Sequence, residues 1–263
     1  MKKFSFFAFI LAAIAVSGGG IVSMAPNITE SIFFLGEDSL LAGRTLYCDY
    51  PKEAENIEIT GTFIEMDYER IFLLNPDLVI FSGNMTSKER KFLDENKINY
   101  TDIKMERADE IIPSLLKLDS ILSNSKHKAK IDSLQQEIYV GMSAESSKVF
   151  VEMSSKPLVS ANKKSYAGSI LELMGYSVFS DSNYSSYSSV SQENVISFNP
   201  AMIIVLHSES KVEERLGWQS INAVKNKRIV YMNREETDIL SRPGPRIKEA
   251  VRILEEIREK NPL

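Results

Sequence analysis

Residues Glu69–Ile80 recur without gaps as Glu193–Ile204, 124 residues further along the chain. Four of the twelve positions are identical and five more exchange one apolar residue for another. In both copies a polar cap (Asp67, Ser191) precedes a short helical stretch, Asn-Pro breaks it, and an unalternated apolar run follows. Such a run reads as a strand buried on both faces, the mark of a parallel sheet covered by helices. A looser echo links Thr29–Gly36 with Gly168–Gly175, two amphipathic stretches each stopped by glycine. The period is far too long for a solenoid and is the size of a whole domain. The chain of 263 residues is therefore expected to be α/β, with two similar lobes and mostly parallel sheets.

Local signals fill in the first lobe. Ile21–Ala25 reads as a buried strand ended by Pro26, and Asn27 with Glu30 has the spacing of a capping box for a helix ending at Gly36. Asp67 caps a helix over Tyr68–Leu74, Leu78–Phe81 is a strand, and a charged helix over 86–96 leads to a strand at Tyr100–Ile103. Residues 106–147 contain almost no glycine, and Ile131, Leu134 and Ile138 give a narrow apolar stripe. That suits a helix over about 125–145 lying along the backs of two lobes, or else a surface helix of the first. The expected division is a first lobe at 21–124, this connecting helix, and a second lobe at 146–263. Pro245 stands at the start of a final amphipathic helix, residues 246–260.

The N-terminus has the grammar of export. Lys2 and Lys3 precede an apolar run from Phe4 to Val16, broken only by Ser5, and small residues follow up to Gly20. Thirteen residues at ~1.5 Å rise cannot cross a hydrocarbon core of ~30 Å. A signal peptide over residues 1–17, cleaved between about Ala15 and Gly20, is expected. With no cysteine near that end, the expected product is a periplasmic or extracytoplasmic protein that is not a lipoprotein. Loss of the two lysines takes the net charge from −5 to −7. That acidity argues against nucleic acid as a partner.

One cysteine and two distant histidines, His127 and His207, leave no basis for a metal site or a thiol framework. Cys48 reads as a small buried residue, His207 as the end of an apolar strand, and His127 as part of a Lys-rich solvated stretch. No phosphate loop, nucleophile elbow or metal-hydrolase motif is present, so the chain is not expected to be an enzyme. Aromatic residues cluster instead at positions expected to be loops. In parallel α/β sheets, ligands bind outside the carboxyl ends of the strands. Tyr47, Tyr50, Phe63, Tyr166, Tyr184 and Tyr187 would line a cleft between facing lobes. Tyrosine suits a large planar or macrocyclic ligand, with a flat apolar face and a hydroxyl. Taken singly, each reads equally well as a packing residue.

Glu69 and Glu193 hold the same place in the two repeats, in the first turn of a helix. A carboxylate there complements the helix dipole by ~0.3–1 kcal/mol. The pair, one on each lobe, would also form a two-point negative docking surface for a partner bearing arginines.

Ile21–Glu30, Tyr47-Cys48-Asp49-Tyr50-Pro51, the twin E-x-I/V-x-x-x-N-P segments and Arg242-Pro243-Gly244-Pro245-Arg246 together resemble the periplasmic substrate-binding proteins of ABC importers for vitamin B12, haem and ferric siderophores. The resemblance covers residue 21 to the C-terminus. It implies two Rossmann-like lobes joined by one long rigid helix, a monomer, no cofactor, and no resident metal. It also implies that Glu69 and Glu193 meet arginines on the importer's membrane subunits. The likeness is greatest to cobalamin binders, with Tyr47 to Pro51 as their Y-x-D-Y-P motif. Phe63 and Tyr187 stand where tryptophans are usual, and Asp238 matches an acidic residue ahead of the Pro-Arg helix start. The implied ligand is a corrinoid, bound by these residues with Arg246. The alternative is a haem or ferric siderophore held by a tyrosine or by Arg44, Arg242 and Arg246. Trp218, in a stretch common across the family, is expected to be structural.

Overall fold

The computed structural model describes residues 19–138, 147–180, 185–208 and 211–262. The expected signal peptide, Tyr184, and the end of the expected connecting helix lie outside the described residues. The chain forms two compact units. One runs to Ile103 and resumes over Pro113–Asp132; the other comprises Lys104–Ile112 and everything from Ser133.

In the first unit, β1 (Ile21–Ser23), α1 (Pro26–Leu35), β2 (Leu41–Arg44), α2 (Tyr68–Leu74), β3 (Leu78–Phe81), α3 (Ser87–Glu95) and β4 (Tyr100–Asp102) alternate along the chain. The sheet order is β2-β1-β3-β4 and every pairing is parallel. All four residues of β3 are buried, as its unalternated run requires. On one face Val79 and Phe81 meet Ile71 of α2 and Leu93 of α3. Thr86 and Glu89 close a capping box on α3. α1 differs from expectation: Pro26 occupies its first turn, Ala25 caps it without a side-chain bond, and Asn27 donates instead to Ser82 Oγ at 2.8 Å. It stops at left-handed Gly36 (φ 81°).

Among the described residues of 106–147 are two α-helices, α4 (Ile111–Ser123) and α5 (Lys128–Glu137). Asn124 and Ser125 between them are both left-handed, φ 53° and 64°, which an unbroken helix forbids. The buried carboxylate of Asp119 holds this turn by accepting from the Ser123 hydroxyl and from the His127 N–H at 3.0 Å.

The second unit contains β5 (Lys148–Ser155), β6 (Leu158–Ala161), α6 (Tyr166–Leu173), β7 (Ser177–Val178), β8 (Tyr187–Ser189), α7 (Gln192–Phe198), β9 (Met202–Val205), α8 (Asn222–Lys225), β10 (Ile229–Tyr231), α9 (Arg234–Ser241) and α10 (Ile247–Lys260). Its sheet runs β10-β9-β5-β6-β8, with β7 also on β5. β5, β7, β9 and β10 are parallel; β6 and β8 join antiparallel. The expected α/β class holds, with one sheet wholly parallel and the other mixed. Phe150, Val195, Ile203, Val205 and Trp218 share this unit's core, and the interior position of Trp218 agrees with a structural role. Residues Lys104–Ile112 belong here through bonds from Ala108 N–H to Ser169 Oγ and from Arg107 Nη1 to Lys163 O, both 2.8 Å.

Candidate functional site

At the carboxyl ends of β1, β2 and β3, the first unit presents its aromatic loops. Tyr47, Tyr50 and Phe63 are 56%, 42% and 41% exposed, and Leu46 and Ile64 stand beside them at 50% and 82%. Surface this apolar needs a framework, and Arg44 supplies one. Its guanidinium, itself buried, donates to the carbonyls of Thr45 (3.0 Å), Leu46 (3.4 Å), Glu55 (3.0 Å) and Ile57 (3.2 Å). The sequence reading took Arg44 as a candidate partner for an anionic chelate. It is a loop organiser instead, facing inward. Cys48 is buried beneath the same loop, 3.0 Å from Thr45 Oγ1, and burial pushes its thiol pKa up. Phe63 and Ile64 form the tip of a tight reversal, where Thr62 N–H donates to Glu65 O (2.8 Å) and Glu65 N–H to Thr62 Oγ1 (3.1 Å). A groove of about 560 Å³ runs past Arg44, Ile57, Ile59 and Thr62. Its Arg70 is paired with Glu58 (3.1 Å) and Asp67 (3.2 Å).

In the second unit the expected residues divide. Tyr187, on the edge strand β8, is 42% exposed; partial burial and the Glu106 carboxylate raise its phenol pKa. Tyr166 is wholly buried at the start of α6, along with the five residues that follow it. Its ring has no surface to offer, and it leaves the candidate set. Arg246 is likewise buried, at 5% exposure, where α10 begins. Asp238 ion-pairs with Arg242 one turn on, at 3.1 Å.

The two repeated helices agree bond for bond. Asp67 accepts from Arg70 N–H and Ser191 from Asn194 N–H, each at 3.1 Å. Each helix ends in a left-handed asparagine, Asn75 (φ 43°) or Asn199 (φ 50°), whose N–H donates four residues back at 3.0 Å. Glu69 and Glu193 are therefore both exposed second residues of seven-residue helices. The Glu193 carboxyl pKa is held low by its own backbone N–H and the Ser191 hydroxyl.

Both histidines have partners that the sequence reading missed. His127 Nε2 lies 2.7 Å from Glu37 and is mostly buried, not solvated. His207 Nε2 lies 2.7 Å from the fully buried Glu152, which Arg215 also binds at 2.7 Å. The signal for this cluster was a lone glutamate inside the apolar run of β5. Among the described residues no group of three or more His, Cys, Asp or Glu could hold a metal ion.

Residues 21–236 match the periplasmic binding protein family. A vitamin B12-binding protein of Pectobacterium carotovorum is 29% identical over 242 residues, covering 86% of this chain and 83% of its own. The crystal structure of the periplasmic vitamin B12-binding protein of Vibrio cholerae superposes with a TM-score of 0.77 at 24% identity, over 92% of this chain and 97% of that one. An ABC transporter substrate-binding lipoprotein of Bacillus subtilis is 26% identical, covering 90% of this chain and 78% of its own. This last relative corrects one expectation. That relative is a lipoprotein, against the expectation from the sequence that the product would not be one.

Proposed function

The chain belongs to the periplasmic binding protein family, and on that premise we propose that it captures a corrinoid for delivery to an ABC importer. Family members bind and hand over solutes rather than transform them, so the ligand is cargo and not a cofactor. The observation that carries the corrinoid reading is the charge of the site. The three arginines that an anionic chelate would call on are committed elsewhere: Arg44 to four carbonyls, Arg242 to Asp238, and Arg246 to the interior. At the loop tips of the first unit, Tyr47, Tyr50 and Phe63 present exposed aromatic surface beside Leu46 and Ile64. A corrinoid edge fringed with neutral amides suits such a surface, whereas haem propionates or an anionic ferric siderophore would meet three arginines already engaged. On the second unit, Tyr187 is the exposed candidate contact, and Asp238 stands paired with Arg242. The B12-binding relatives support the same reading.

Calorimetric titration with cyanocobalamin, haemin and a panel of ferric siderophores tests it. Cyanocobalamin is expected to bind, with little dependence on salt. No binding at micromolar concentration would remove the corrinoid reading, and a tyrosinate–iron charge-transfer band with haemin would establish the alternative. The proposed partners are the importer's membrane subunits, reached through Glu69 and Glu193.

A further inference from the structure

We propose that Asn84 is a positioning residue that fixes the Phe63–Ile64 tip and, through it, the affinity of the site. The proposal rests on the reading of Phe63 as a ligand contact.

The tip is too exposed to be held by burial, with Ile64 at 82% and Phe63 at 41%. Its base is secured by backbone bonds, Asp67 N–H to Thr60 O (3.0 Å) and Leu46 N–H to Gly61 O (2.9 Å). Gly61 takes φ +143° there, and a Cβ would lie 2.5 Å from Glu65 O. Those bonds set where the reversal starts but leave the angle of its tip open. The Asn84 side chain reaches the tip. Its Nδ2 donates to Phe63 O at 2.6 Å and to Met24 O at 3.3 Å, while its Oδ1 accepts from Ser82 N–H at 3.0 Å. One amide thus ties the exits of β1 and β3 to the tip.

The anchor behind Asn84 is stiff. It sits three residues beyond β3, whose residues are all buried, and the intervening Ser82 accepts from Asn27 Nδ2 at 2.8 Å. The requirement is also specific. Reversing the amide would aim its oxygen at two carbonyls and its N–H groups at another N–H. Aspartate has the same shape but no donor, so it would set a carboxylate against those two carbonyls. No other side chain of this size offers two donors and one acceptor in that arrangement.

The test combines amide exchange with cyanocobalamin binding for Asn84→Ala, Asn84→Asp, Phe63→Ala and the double variant Phe63→Ala/Asn84→Ala. Both Asn84 variants should speed exchange at the Thr62 and Glu65 amides by about tenfold and leave those of Thr60 and Asp67 at the base unchanged. Both should weaken cyanocobalamin binding by about tenfold. In the Phe63→Ala background, removing Asn84 should weaken binding no further. Unchanged exchange at the tip, a fully active Asn84→Asp, or an additive loss in the double variant would each overturn the proposal. If Phe63→Ala alone binds normally, the reading of Phe63 as a contact falls, and the affinity role of Asn84 falls with it. If the unaltered chain does not bind cyanocobalamin, the corrinoid reading fails separately, and exchange still decides whether Asn84 holds the tip.

Discussion

Glu152 is fully buried, with the Arg215 guanidinium donating to its carboxylate at 2.7 Å and His207 Nε2 lying 2.7 Å away. Arg215→Met would leave that carboxylate without its neutralising cation and is expected to cost about 3–5 kcal/mol. Adding Glu152→Met should restore most of the loss, and urea unfolding of the single and double variants measures both effects. Tyr231 and Glu213 give a second residue-level test. The Tyr231 phenol, partly buried and bonded to the Glu213 carboxylate at 2.5 Å, has its pKa pushed up to about 12 from an ordinary 10. The bond's contribution to stability is therefore complete below pH 10 and lost as pH rises from 10 to about 12. Glu213 is held low mainly by the same bond, so its share is present above its ordinary range and lost as pH falls through its folded value. Tyr231→Phe should move the Glu213 titration upward, as followed by NMR. None of these partnerships was legible beforehand. His207 and Arg215 lie 55 and 63 residues from Glu152, and no local pattern spans such a gap. Loop position foretold the exposure of Tyr47, Tyr50 and Phe63, but the burial of Tyr166 and Arg246 depends on what packs over a helix start.

At the scale of elements, the repeated helices were the most legible part of the chain, because cap, helix and break all lie within ten residues. Asp67→Ala and Ser191→Ala should each lower unfolding free energy by about 0.5–2 kcal/mol. With no shared partners the two losses should add, which denaturant melts of the double variant would check. α4 and α5 show the opposite case. The break between them uses Asn124 and Ser125 in left-handed conformations without a glycine or proline to announce it. The side chain that stabilises the break, Asp119, sits inside the preceding helix, where sequence gives it no special mark. The start of α1 was misread for a related reason. Asn27 has the chemistry of a cap, but its amide is drawn to Ser82, which lies 55 residues away.

At the scale of the molecule, two units of related grammar were readable from one twelve-residue echo, and the α/β class followed from it. The mixed second sheet was not readable, since β6 and β8 are short and add at one edge of an otherwise parallel set. The proposed docking residues Glu69 and Glu193 belong to this scale, one being carried by each unit. Glu69→Arg or Glu193→Arg is expected to abolish uptake in a reconstituted importer while leaving cyanocobalamin affinity unchanged, through like-charge repulsion worth several kcal/mol. Unimpaired uptake would exclude these carboxylates from docking. Trp218, the chain's single tryptophan, is wholly buried in the second unit, 6.3 Å from Phe150 and with the Arg215 guanidinium 4.6 Å from its ring. Indole fluorescence is thereby a private reporter of that unit's interior. An emission shift on heating marks the loss of its core alone, and comparison with far-ultraviolet circular dichroism tells whether the first unit melts at the same temperature or on its own.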